Sequence, residues 1–115
     1  MKQVLYTDFY PVGAKSQPVR KWLRDMDKED RRTIGRDIGV LEFNWPIPPP
    51  LCKKIERDLW EIRSNLAVGR ISRVFFTIDG NRMILLHAFI KKSQETLQKD
   101  LKTARARKSN YYHLG

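Results

Sequence analysis

Apolar residues change their spacing near the middle of the chain. Val19, Trp22, Leu23 and Met26 recur at i, i+3, i+4 and i+7 and predict a first helix. Ser16 is placed to cap it, and Pro18 is tolerated in its first turn. Asp27 reads as the cap of a second helix with its own stripe, Ile34, Ile38 and Leu41. Gly35 and Gly39 lie on or beside that stripe and lower its helix propensity, which is useful where a helix approaches another element closely. A connection this short predicts an antiparallel helical hairpin, and "NWPIPPP" then stops the second helix.

Beyond the prolines the period becomes two. "LCKKI", "DLWEIRS", "GRISRVFFTI" and "RMILLHAFI" read as four strands. Trp60 and Ile62 share one face, Glu61 and Arg63 the other; Val74, Phe76 and Ile78 point away from Arg73 and Phe75. "DG" at Asp79 and Gly80 is a hairpin signal that makes the last two strands antiparallel neighbours. Its loop length sets where His87 falls. A three-residue loop puts His87 opposite Arg73; two or four residues send it to the other face, leaving the lysines after it to do the work. Ahead of the helices, "KQVLYTDFY" predicts an edge strand with Val4, Tyr6 and Leu5 as packing candidates. At the far end Thr96 is the candidate cap of a helix striped by Leu97, Leu101 and Ala104, with "YYHLG" as a tail. The order β-α-α-β-β-β-β-α predicts one α+β domain over residues 1–115, an antiparallel sheet with helices packed on one side.

Charge narrows the function classes. The net charge is +10, and residues 91–115 hold seven basic side chains against two acidic ones. A basic excess gathered in one region is the footprint of a polyanion binder, with nucleic acid, an acidic protein and a membrane surface all open. Cys52 is the only cysteine, which fits a reducing cytoplasm. No signal-like run opens the chain and no stretch has the length of a membrane span, so a soluble cytoplasmic protein is expected.

The candidate chemistry is free of metal and cofactor. His87 and His113 lie far apart in sequence and have no cysteine cluster beside them, which argues against a zinc site. No glycine-rich phosphate loop follows a strand, and the carboxylates form no obvious pair for two-metal chemistry. What remains is Arg63, Arg73, His87 and Lys91 on strands. Cutting RNA without a metal requires a base for the 2′-hydroxyl, an acid for the leaving 5′-oxygen, and cations for the crowded phosphate. Arginine suits the last role through its planar fork, and lysine, histidine or tyrosine suits the others. Each residue also has a plain reading: Arg63 as the solvent half of a strand, His87 as a sheet-face residue, Lys91 and Lys92 as a blunted strand end, the basic helix as a solvated face. Arg73 fits a plain reading least, because it interrupts "ISRVFF".

"LWEIR", "SRVFFTIDGNRMILLHAFIKKSQET" and the basic "KDLKTARARKSNY" together resemble the phage-derived HigB-like branch of the RelE/ParE toxin superfamily. The Trp22 helix, Trp45-Pro46 and "PPPLCKKIERDLWEIR" extend the likeness over nearly the whole chain. The resemblance implies the toxin of a type II toxin–antitoxin module with a compact α+β fold. HigB and RelE relatives are ribosome-dependent endoribonucleases that cut mRNA in the A site without a metal, whereas ParE relatives poison DNA gyrase. It also implies a HigA-like helix-turn-helix antitoxin as partner, in a hetero-oligomer. Carried over by position, Arg73 would stabilise the phosphate, with Arg63 ending the preceding strand and Lys91 or Lys92 after the last. Lys53, Lys54, Arg70, Lys99, Lys102 and Arg105 are the expected contacts to RNA or ribosome. Glu61 stands where RelE has lysine, and Leu97 and Gln98 occupy the region of a RelE-type tyrosine. The acid and base therefore stay open among His87, Tyr111, Tyr112 and His113, and the two departures keep a catalytically degenerate RNA-binding relative as an alternative beside the ParE-like one.

Overall fold

A computed structural model describes residues 2–91 and 97–114. The elements run β1 (Tyr6–Phe9), α1 (Pro18–Arg24), α2 (Lys28–Asn44), β2 (Cys52–Glu56), β3 (Leu59–Asn65), β4 (Ile71–Asp79), β5 (Arg82–Ile90) and α3 (Leu97–Leu114). The five strands form one sheet in the order β1-β5-β4-β3-β2. The sheet is mixed, not antiparallel throughout: β1 lies parallel to β5, latched by Arg82 on Asp8 at 2.6 Å.

The alternation in β3 and β4 sorts side chains onto two faces. Ile62, Val74 and Phe76 pack with Ile34, Ile38 and Leu41 of α2 and Val19 of α1. Trp45, from the loop after α2, meets Trp60 edge-on at 5.4 Å and pins the proline-rich segment to this face. Leu59, Phe75, Ile84 and Leu86 form a second cluster with Leu101 and Ala104 of α3. Helices therefore cover both faces, where the sequence reading placed them on one. Two apolar faces on each strand require two covers; the continuous run from Met83 to Leu86, all fully buried, is the trace of this in the sequence.

Several local expectations give way to geometry. Around the start of β1 the buried residue is Leu5, just ahead of the strand, while Val4 and Tyr6 are exposed, because the odd positions Leu5 and Phe9 face the helices. The residue preceding α1 is Gln17, not Ser16, and its amide donates to Phe9 and Pro11 carbonyls without capping the helix. Asp27 does precede α2, but makes no side-chain cap bond. Gly35 and Gly39 have open space where a Cβ would sit, so no close approach requires them. Helix α1 packs on β1 and β5 and α2 on β3, each held mainly by the sheet. Thr96 and Lys92 fall outside the described residues. Among those described, no helix is long and apolar enough to cross a membrane.

Candidate functional site

Beside the first turn of α3, on the face of the sheet that this helix packs, the strands carry polar residues. Pairing builds them into rows. Arg63 of β3 lies directly opposite Arg73 of β4, which lies opposite Phe89 of β5. The next row on this face runs Lys53, Glu61, Phe75, His87 across β2 to β5. On the other side of the arginines come Asn65 and Ile71, with the Lys91 backbone amide bonded to the Ile71 carbonyl at 2.7 Å. Successive rows are about 7 Å apart, two residues of strand rise.

His87 reaches this face through an irregularity. The β4–β5 loop has two residues, since Asp79 pairs with Arg82. Gly80 at its first position has φ of +63°, the sign that a type II′ hairpin needs. That spacing alone sends His87 to the opposite face. Instead Phe76 pairs with Leu85 and Phe75 with His87, leaving Leu86 unpaired as a β-bulge. The extra residue restores His87 to the side of Arg73, one row away and not directly opposite it. Arg107 of α3 donates to the Leu86 carbonyl at 2.8 Å, satisfying a group beside the broken ladder.

One ion pair and one imidazole–carboxylate contact set the electrostatics. Arg73 Nε approaches Glu61 Oε2 at 3.2 Å, with the side chains 13% and 4% exposed. The two atoms are misaligned, so among the described residues neither makes a hydrogen bond. Two arginines directly opposite repel, and Glu61 supplies the local counter-charge. His87 Nε2 lies 2.7 Å from Asp100 Oδ1 in the first turn of α3. A carboxylate is favourable at a helix N-terminus, and it requires the imidazole proton on Nε2, leaving Nδ1 as the other ring nitrogen. The ring stacks on Phe89, centroids 5.6 Å apart. Asp100 was not singled out from sequence, yet a signal existed: it is the lone acidic side chain of a basic helix and flanks the buried Leu101.

The other basic candidates divide. Lys53 shares the site face, whereas Lys54 lies over the Trp60 ring at 5.7 Å on the opposite one. Arg63 also lines an edge cleft with Thr33, Arg36, Asp37 and Asn65. Arg70 grips Asp30 of α2 through two bonds of 2.8 and 3.0 Å, and Arg105 grips Glu56 at 2.6 Å; both are committed to joining elements. Lys99 and Lys102 are exposed on α3. The supposed tail is helical through Leu114. Tyr111 donates to Asp79, and Tyr112 bonds Thr77 and the Ile78 carbonyl. Tyr111 and Tyr112 are thus docked at the end of β4 remote from Arg73, and His113 follows them, exposed, at the close of the helix.

The arrangement brings two opposed arginines beside an imidazole held by a carboxylate, on one face of the sheet. No curated protein matches the chain. A family model described as "Phage derived protein Gp49-like (DUF891)" matches residues 21–109, a span that holds Arg63, Arg73, His87, Lys91 and Asp100. On that match the chain belongs to the phage-derived Gp49-like family.

Proposed function

We propose that the chain is the toxin of a type II toxin–antitoxin module, a ribosome-dependent, metal-independent endoribonuclease that cuts mRNA and inhibits translation. Its partner in the cytoplasm is a HigA-like helix-turn-helix antitoxin, with which it forms a hetero-oligomer. The observation that carries the reading is the row in which Arg63 faces Arg73, with the His87–Asp100 pair one row away.

The scissile phosphate sits on the arginine row. His87 Nδ1 takes the proton from the 2′-hydroxyl as that oxygen attacks phosphorus, while the other ring proton stays on Nε2, donated to Asp100. The P–O5′ bond breaks, and Lys91 protonates the departing oxygen. Arg73 and Arg63 hold the charge that accumulates on the non-bridging oxygens, a role worth roughly 3–4 kcal/mol per pre-placed donor. Glu61 holds Arg73 in place for this.

The test is cleavage of a translated mRNA in a cell-free extract, mapped by primer extension. The protein is expected to cut within the coding region, and Arg73→Lys, which keeps the charge beside Glu61 but loses the fork, is expected to stop it. Intact mRNA beside a RelE-type control that cuts would overturn the reading. Arrested gyrase–DNA complexes in the same cells would replace it with a ParE-like one.

A further inference from the structure

The β3–β4 connection carries a residue that its backbone should reject. Val68 has φ of 59° and ψ of 37°, followed by Gly69 at φ of 70°. Two successive left-handed residues make a type I′ turn, whose first position favours asparagine, aspartate or glycine. A β-branched residue there is a genuine outlier, since its Cβ crowds the following carbonyl. Packing does not compensate: Val68 is 96% exposed. The turn is nonetheless firmly braced. Leu66 at its base is buried, the Leu66 amide bonds the Arg70 carbonyl at 2.8 Å, and Arg70 Nε bonds the Ala67 carbonyl at 3.1 Å. The Arg70 guanidinium is in turn fixed to Asp30. The result is a rigid tip that presents one strained valine to the outside.

The place of the tip identifies its occupant. The strands leaving the turn carry the Asn65–Ile71 pair and then Arg63–Arg73. The tip therefore stands at the mouth of the arginine site, roughly 10–15 Å from it at the rise of a strand, within reach of the same bound strand. We propose that Val68 is an apolar contact for RNA, packing against the base or ribose of a nucleotide next to the one whose phosphate lies on Arg63 and Arg73. Strain held at an exposed position marks a functional contact more readily than a structural one. The surroundings favour RNA over a protein groove: Arg63 and Arg73 lie on the strands at this end of the sheet, and Lys91, just past β5, is bonded to Ile71 beside them. The inference rests on the RNA-cleavage reading, and extends it from the phosphate to the neighbouring nucleotide.

The test uses the full chain and a fluorescein-labelled single-stranded RNA 12-mer, with affinity measured by anisotropy over a range of salt, and melting temperature measured in parallel. Val68→Asn and Val68→Gly both suit the left-handed backbone. Val68→Asn is expected to raise the melting temperature by relieving the turn, and both variants to weaken RNA binding by about fivefold, the loss of part of one buried side chain. The salt slope should stay unchanged, because no phosphate contact is removed. Arg63→Gln, by contrast, should lower the slope by about one. If both valine variants bind RNA as the wild type does while Arg63→Gln loses affinity and slope, the tip is not an RNA contact and the arginine site stands. If they keep RNA binding but lose growth arrest in cells, Val68 serves a protein contact and the proposal falls. If the wild type shows no RNA binding that depends on Arg63, the RNA reading fails and takes the inference with it.

Discussion

His87 Nε2 lies 2.7 Å from Asp100 Oδ1, joining a bulged strand to the first turn of the last helix. The side chains are 17% and 14% exposed, so water competes weakly for the contact. An acid or base in such a position contributes typically about 10²–10⁴-fold. His87→Ala is expected to lower the rate of mRNA cleavage within that range. Asp100→Asn, which keeps the shape but no longer fixes the tautomer, should cost less, about tenfold or more. Rates in a translation extract, with circular dichroism to confirm the fold, provide the check. Unchanged cleavage by His87→Ala would remove the imidazole from the mechanism.

Glu61 and Arg73 should respond unequally to removal. Arg73→Ala leaves a carboxylate buried without its partner, a loss of about 3–5 kcal/mol in a domain whose whole stability is about 5–15 kcal/mol. Arg73→Lys keeps a cation and should lose activity with a much smaller fall in melting temperature. Glu61→Gln is expected to leave Arg73 charged but loosely held, lowering cleavage while the protein stays folded. Urea denaturation of the three variants and of Glu61→Gln/Arg73→Gln separates the terms. The double variant should be more stable than Arg73→Ala, because it buries no lone charge.

The periodic elements were legible from sequence because burial alternates with the side-chain period. Ile34, Ile38 and Leu41 are buried together, and Arg63 and Arg73 share a face as the alternation requires. The bulge was not legible. Leu86 is one more apolar residue in an apolar run, and nothing local marks it as the extra one; its carbonyl is satisfied by Arg107, from the other side of the site in sequence. Asp100 was marked in the sequence as the lone acid of a basic helix, but its pairing with His87 was not, since Asp100 reaches the ring only once α3 docks. Arg107→Met tests this dependence. It should leave the Leu86 carbonyl without its donor at a cost of about 1–3 kcal/mol, and lower cleavage by loosening the strand that carries His87. A variant that is destabilised but fully active would show that the bulge holds its place without Arg107.

Arg70 beside Asp30 holds that carboxyl below the usual range, and the hydrogen bond is the largest cause. A carboxyl with a lowered folded-state pKa adds stability above its unfolded value, about 3.9. That stability is lost as the pH falls through the carboxylate range. Asp30→Asn should therefore melt earlier than the wild type at pH 7, with the gap narrowing as the pH falls below about 4. It should also loosen the β3–β4 turn, detected as faster amide exchange at Ala67 to Arg70. A gap that is constant from pH 7 to pH 3 would mean that the ion pair adds nothing to stability.

Tyr111 tests whether the end of α3 belongs to the chemistry. Its hydroxyl donates to Asp79 Oδ2 at 2.6 Å, and burial, followed by that hydrogen bond, pushes its pKa up to about 12. A tyrosine whose folded value lies above the ordinary value of about 10 adds stability that is fully present below pH 10. It is lost as the pH climbs from about 10 to 12. The wild type should melt above Tyr111→Phe by a constant margin between pH 7 and 9, and that margin should shrink over the alkaline window. Absorbance titration should show one ionisation near 12 that the variant lacks. Cleavage of mRNA should be unaffected, because Asp79 stands six residues along β4 from Arg73, roughly 20 Å at the rise of a strand. Loss of cleavage in a stably folded Tyr111→Phe would instead bring the helix end into the reaction and displace His87 as the acid–base group.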